Sequence, residues 1–445
     1  MSFQDVQGYN LTGANRTSAE FYAQALHELQ CYIDDPLATI DAALAESPGF
    51  VMGHCFRAYL HILSSERAAA SVVKACFKAV AQVPANDREI GHIAAISRFL
   101  EGDLRGGIDA LETVLIDYPL DVLAQQTAHL MDFFVGDARS LRDRIARRLP
   151  FWSASIPGYH SLLGMYAFGL EEMADYRRAE DYGRMAIDLN ARDAWAQHAV
   201  AHVYEMQGRH QEGIDWMESR ESNWATDNFM SVHNWWHLSM YYLELGQIDR
   251  VLELYDSKVR GERSEVALDM VDASSMLWRL HLRGVELGDR WREISNAWEP
   301  HAEDAFYAFN DFHAMMAFAG SGNTTAARQM LAAQKERIGK GGSNDAMTAQ
   351  IGHPLCQALQ AFSNRDYRRT IELIRPLRTI ANRFGGSHAQ RDVIDLTLLE
   401  AAFRDGQTAL AQALSNERLA LKPASPLNTL FRQRLQAEQI KASVA

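Results

Sequence analysis

Two segments of this chain carry the same helical skeleton about 38 residues apart. The first sets Gln197, Val200, Ala201, Tyr204 and Gly208 in line; the second sets Trp235, Leu238, Ser239, Tyr242 and Gly246. At about 3.6 residues per turn each set forms one packing stripe, and the closing glycine ends the helix. The spacing recurs upstream. Thirty-four residues separate Ala167 from Ala201 and Ala179 from Gly213, and Arg88–Pro119 places Ala95, Gly102, Gly107, Leu111, Val114 and Pro119 at matching offsets. Units of this length cannot bury their apolar faces alone, so they must stack on their neighbours.

A period of 34 with a W-x2-L-G-x2-Y skeleton is the tetratricopeptide (TPR) pattern. The fold class it predicts is all-α, a TPR-like α-solenoid or superhelix of antiparallel helix pairs. Residues 1–20 read as an irregular lead-in and 21–445 as one continuous array, clearest over 88–256 and degenerate over 265–420. A length of 445 residues exceeds what one compact core supports, which suits such an array. No alternating strand pattern and no β–α–β unit is present, which excludes the usual dinucleotide folds.

A net charge of −13 argues against an extended phosphate-binding surface, so no nucleic-acid partner is expected. The basic run RDRIARR (Arg142–Arg148) reads as a solvated helix face. Cys31, Cys55, Cys76 and Cys356 form no C-x-x-C pair and read as reduced thiols. The opening MSFQDVQGYN lacks a positive n-region, and no uncharged apolar run nears the ~18 residues a membrane span needs. A cytoplasmic protein with no membrane contact is expected.

Helical directions place His198, His202 and Glu205 roughly 130° from the packing stripe. His233 and Trp236 fall on the same face in the next repeat, with His237 near its rim; His92 and His129 reach it from earlier repeats. In a TPR array this face lines the concave surface where such proteins bind. His198, His202, Glu205 and His233, with Asp311 as a partner, are therefore candidates for acid–base chemistry. No metal is the leading expectation. The alternative is a divalent ion such as zinc on His198, His202, His233 and His237, although H-E-x-x-H is absent because Ala199 follows His198. Trp195 and Trp236 would wall the groove. Asn310 and His313 in FNDFH, and Gln390, Arg391 and Asp392 in SHAQRD, are further ligand-binding candidates, with Arg391 an anchor for a carboxylate or phosphate or a tie between helices.

Longer motifs carry a resemblance. PGFVMGH (Pro48–His54), RDAWAQHAVAHVYEM (Arg192–Met206), HNWWH (His233–His237), DMVDASSMLWRL (Asp269–Leu280), FNDFH (Phe309–His313) and GGSHAQRDV (Gly385–Val393) together resemble the tetratricopeptide repeat protein 38 family, from near Phe21 to Leu421–Pro426. The resemblance implies a TPR-like helical array in the cytosol. It carries over His54, Asn234 and His237 as ligand-binding positions beside those above. The function expected is a binding protein whose His- and Trp-rich groove holds a small polar ligand or a peptide. The alternative is an enzyme, with hydrolase chemistry among the options, using the His/Glu/Asp cluster for acid–base or metal-assisted work on a small molecule. A homo-oligomeric scaffold is the third reading.

Overall fold

The computed structural model describes residues 3–444, and the side chains of residues 3–437. It is all-α and TPR-like, built of successive antiparallel helix pairs. The one sheet among the described residues is a pair of two-residue strands, Phe3–Gln4 and Asn10–Leu11, inside the stretch expected to be irregular.

Local chemistry starts and stops the helices where the sequence says. Helix Arg16–Cys31 opens on a reciprocal cap. The Asn15 side chain accepts from the Ser18 N–H, and Ser18 Oγ accepts from the Asn15 N–H. Asn86 with Glu89, and Ser387 with Gln390, repeat the device before Asp87–Leu100 and His388–Arg404. Each closes two otherwise orphaned backbone donors. Asp103, Asp121, Asp137 and Asp366 cap the helices that follow them. Gly102, Gly208 and Gly246 take φ of 78°, 71° and 76° at the turn within a pair, a conformation that a side chain disfavours. In the helix that follows such a turn, Gly213 gives close approach: a Cβ there would stand 2.7 Å from the Tyr241 ring.

The chain divides into two compact units, a division that the expectation of one continuous array did not include. The first comprises Met1–Val200, Ser222–Ser231 and Lys340–Asn344. Its pairs include Asp87–Leu100 with Leu104–Asp117, and Tyr159–Glu172 with Tyr176–Leu189. The second comprises Ala201–Glu221, Val232–Gly339 and Asp345–Ala445. Its pairs include Ala267–Leu282 with Arg290–Trp298, Ala308–Ser321 with Thr324–Arg337, and His388–Arg404 with Thr408–Leu421.

The basic run in the first unit departs from expectation. Arg144 and Arg148 are buried, not solvated. Arg144 grips Asp132 with two bonds of 2.8 and 3.0 Å and also meets Glu112, which accepts from Arg147 and Arg148 as well. Carboxylates from the preceding helices draw Arg144 and Arg148 inside, while Arg147 stays exposed.

Candidate functional site

The histidines of the repeats turn inward. In the first unit His92 Nε2 meets Asp121 at 2.9 Å and its Nδ1 meets the Tyr59 hydroxyl at 3.0 Å; His160 Nδ1 meets Asp193 at 2.8 Å. Asp121 and Asp193 also accept backbone N–H groups at their own helix starts, from Ala124 and Ala196. Each carboxylate thus ties a helix start to the histidine of the preceding pair. His129, fully buried, accepts from Trp195 Nε1 at 3.2 Å, and burial pushes its pKa down to about 3. His198 packs its ring on Trp195 and Phe168. These positions are packed interior, not the wall of an open groove. His54, also expected in the site, bonds the Pro48 carbonyl at 2.8 Å, a local tie at its own helix start.

In the second unit a denser group forms. His202 and His237 are fully buried, with ring centroids 4.4 Å apart. His237 Nδ1 meets Glu205 Oε2 at 3.2 Å, and its Nε2 lies 3.2 Å from His233 Nε2. His233 Nδ1 in turn meets Asp272 at 2.8 Å, and its ring stacks on Trp236. Burial, reinforced by the neighbouring His202 and His233, holds His237 neutral well below the usual imidazole range. Trp236 donates to Ser275 Oγ at 2.9 Å and is wholly enclosed. Asn234 is also enclosed, and its amide makes no hydrogen bond among the described residues.

The remaining candidates have other neighbours. Asp311 accepts from Gln334 at 3.1 Å, and burial raises its carboxyl to about 7. His313 bonds the Phe309 carbonyl at 2.8 Å and falls to about 3 for the same reason. Asn310 is buried on that same helix. Gln390 is a capping residue, Arg391 donates to the Gly386 carbonyl, and Asp392 accepts two bonds from Arg418, at 2.6 and 3.0 Å. Burial works to raise Asp392, but Arg418 outweighs it and holds the carboxyl at about 2. The SHAQRD stretch expected to bind a ligand is therefore largely occupied in holding its own helix and the next.

Arg279 and Arg283 were not singled out from the sequence, yet they make the most unusual feature of the second unit. With Arg404 and Arg434 they line a cavity of about 390 Å³, walled otherwise by leucines and Phe431, with Glu400 its one carboxylate. Glu400 bridges Arg404 and Arg434, each at 2.7 Å. Arg279 and Arg283 make no ion pair among the described residues. Arg279 donates to the carbonyls of Ala389 (2.6 Å), Gln390 and Ser275, lies over the Trp236 ring, and has a buried Nε with no acceptor. Arg283 donates to the Leu243 carbonyl. Burial lowers Arg283 and pulls Arg279 down to about 10, which leaves Arg279 cationic at neutral pH. A clue was present in the sequence: one arginine inside the apolar run SSMLWRLHL of a buried helix.

No protein-family model matches the chain. Among solved structures, the human IFIT1 dimer with m7Gppp-AAAA is 13% identical, with 96% of each chain covered and a TM-score of 0.43. The human IFIT1 dimer with PPP-AAAA is 14% identical over 94% of this chain and 99% of that one, with a TM-score of 0.41. Naa15/Naa10 bound to HypK-THB is 11% identical over 95% of this chain and 66% of that one, at 0.23. The chain is a TPR-like helical repeat protein.

Two expectations are corrected at this point. The IFIT1 chains hold capped or triphosphate RNA, which goes against the absence of any nucleic-acid partner. The same finding overturns the small polar ligand or peptide and its acid–base or metal-assisted enzyme alternative. Among the described residues no helix is long and apolar enough to cross a membrane.

Proposed function

We propose that this chain binds the phosphorylated end of an RNA in the arginine-lined cavity of its second unit. The observation that carries the reading is the buried guanidinium of Arg279, which has no carboxylate partner and an unmet Nε donor at a cavity shared with three further arginines. The distant likeness to RNA-bound chains does not carry it. A buried cation without a counter-ion costs several kcal/mol, and an anion entering the cavity relieves that cost. Guanidinium groups suit phosphate oxygens through charge-assisted bonds. The leucine and Phe431 wall offers an apolar surface for the sugar or base next to the phosphate. The net charge of −13 disfavours contact along an RNA backbone and leaves a terminal phosphate as the group to be gripped.

The finer family placement belongs to this reading too: the motifs from PGFVMGH to GGSHAQRDV support membership of the tetratricopeptide repeat protein 38 family. Four free, buried thiols support a cytoplasmic location.

The test uses the full chain and one labelled oligonucleotide carrying a 5′-triphosphate, a 5′-monophosphate or a 5′-hydroxyl, with binding read by fluorescence polarisation. The expected order is triphosphate, then monophosphate, then hydroxyl. Arg283→Met, at a partly exposed position, should weaken the triphosphate form by about tenfold, or about 1.4 kcal/mol, and leave the hydroxyl form unchanged. Equal binding of all three, no binding, or full displacement by a free nucleoside triphosphate at equal concentration would overturn the proposal.

A further inference from the structure

The histidine group of the second unit is a different site. One ring nitrogen from each of His202, His233 and His237 lies within 4.8 Å of the other two. The nitrogens that face one another, His233 Nε2 and His237 Nε2, are 3.2 Å apart. Two nitrogens bound to one tetrahedral zinc at about 2.05 Å stand about 3.3 Å apart, so this pair already has the spacing an ion imposes. The opposite nitrogen of each ring is held by a carboxylate: His233 Nδ1 by Asp272 and His237 Nδ1 by Glu205. A carboxylate on the far nitrogen fixes the tautomer that turns Nε2 and its lone pair towards a metal, and raises the ligand's basicity. The residues come from three helices: Ala194–Met206 supplies His202 and Glu205, Ser231–Glu244 supplies His233 and His237, and Ala267–Leu282 supplies Asp272.

We infer that His202, His233 and His237 form a zinc site, with Glu205 and Asp272 as its outer carboxylates. Three neutral imidazoles suit zinc among the common cations, since magnesium and calcium require oxygen donors. His202 offers a third nitrogen within 4.8 Å of the other two. His237 is sealed, and the side chain of His233 keeps 17% of its surface exposed, so an ion enters past His233, and a fourth ligand completes the tetrahedron. On binding, the Nε2 lone pairs of His233 and His237 both donate to the metal. The ion ties consecutive helix pairs together and needs no RNA, so its presence and the arginine cavity are separate questions.

The experiment takes the full chain without a histidine tag, strips it with a chelator, and measures uptake of Zn²⁺ and of Co²⁺ by equilibrium dialysis, metal analysis and visible absorption. One zinc per chain is expected, and the cobalt form should show the intense visible bands of a four-coordinate site. His233→Ala should abolish uptake. Asp272→Asn should weaken it by about 10–100-fold, the usual effect of removing an outer partner, and the circular dichroism of both variants should match the parent. Absence of uptake by the parent chain, a six-coordinate cobalt spectrum, or undiminished uptake by folded His233→Ala would overturn the inference. Should His233→Ala fail to fold, the cobalt spectrum of the parent and the affinity of Asp272→Asn decide.

Discussion

Replacing Asp311 by Asn should make the protein less sensitive to pH between 5 and 8. Asp311 is buried on helix Ala308–Ser321, and desolvation raises its carboxyl from 3.8 to about 7 against the opposing bond from Gln334. The folded chain therefore keeps a proton on Asp311 that the unfolded chain releases. Wherever the folded state binds more protons, stability falls as pH rises. For this group the fall begins near the unfolded value and levels off above about 7. Between pH 5 and 7 two pH units are traversed at about 1.4 kcal/mol each, so Asp311 accounts for at most about 2.7 kcal/mol of lost stability. Asn is nearly isosteric, keeps an oxygen to accept from Gln334 Nε2, and carries no proton to lose. Urea unfolding followed by tryptophan fluorescence at pH 5, 6, 7 and 8 should show the parent weakening relative to Asp311→Asn by one to a few kcal/mol across the range, as the sign of this shift requires. Asp132 and Asp269, both raised to about 6, contribute alike to parent and variant and cancel in the difference. Parallel curves for the two proteins would refute the reasoning, because they would mean that Asp311 is ionised in the folded chain.

Four other outcomes follow from the structure. Arg144→Met should cost about 3–5 kcal/mol in thermal or urea unfolding, since it strands Asp132 and takes a partner from Glu112. Gly169→Ala should cost about 1–3 kcal/mol, because its Cβ would stand 2.6 Å from the backbone of Leu141 and Arg142. Gly246→Ala, whose Cβ meets nothing, should cost only the strain of its positive φ, about 1 kcal/mol by the same unfolding assay. Binding of 5′-triphosphate RNA should weaken with salt at a slope of about −1.4 to −2, the value for two or three phosphates gripped by arginine; a slope beyond about −4 would mean contact along the backbone.

The array was legible in the sequence because its signals are local. Gly102, Gly208 and Gly246 mark their turns, Asn86 and Glu89 form a cap from neighbouring residues, and the 34-residue spacing shows the repetition. Helical arithmetic also put His202, His233 and Trp236 on one face. It could not say what covers that face. Trp236 meets Ser275 and His233 meets Asp272, residues 39 positions on in both cases, and those contacts turn an expected open wall into interior. The arginine cavity was illegible for a stronger reason: Arg279 and Arg283 gain Glu400, Phe431 and Arg434 as cavity neighbours only after more than a hundred residues of intervening chain fold back. His54, Gln390 and Asp392 were polar residues in long motifs, and their bonds to Pro48, Ser387 and Arg418 show that such motifs also record how a helix is held.

The protein supplies its own control for reading Arg279 as a binding residue. Arg88, Arg144 and Arg279 are all almost fully buried. Arg88 reaches Asp5 at 2.6 Å with Asp121 nearby, Arg144 reaches Asp132 at 2.8 Å, and for both the carboxylates overcome desolvation and raise the pKa. Arg279 shifts the other way. The carboxylates that act on it, Asp392, Glu205 and Asp272, are already engaged by Arg418, His237 and His233. The same side chain at the same depth thus has opposite electrostatics, and the difference is the missing partner. Burial alone cannot explain it, because burial is common to all three. What distinguishes Arg279 is a cavity at its side and, among the described residues, no carboxylate within ion-pair distance, the arrangement expected where the counter-ion arrives from outside the chain.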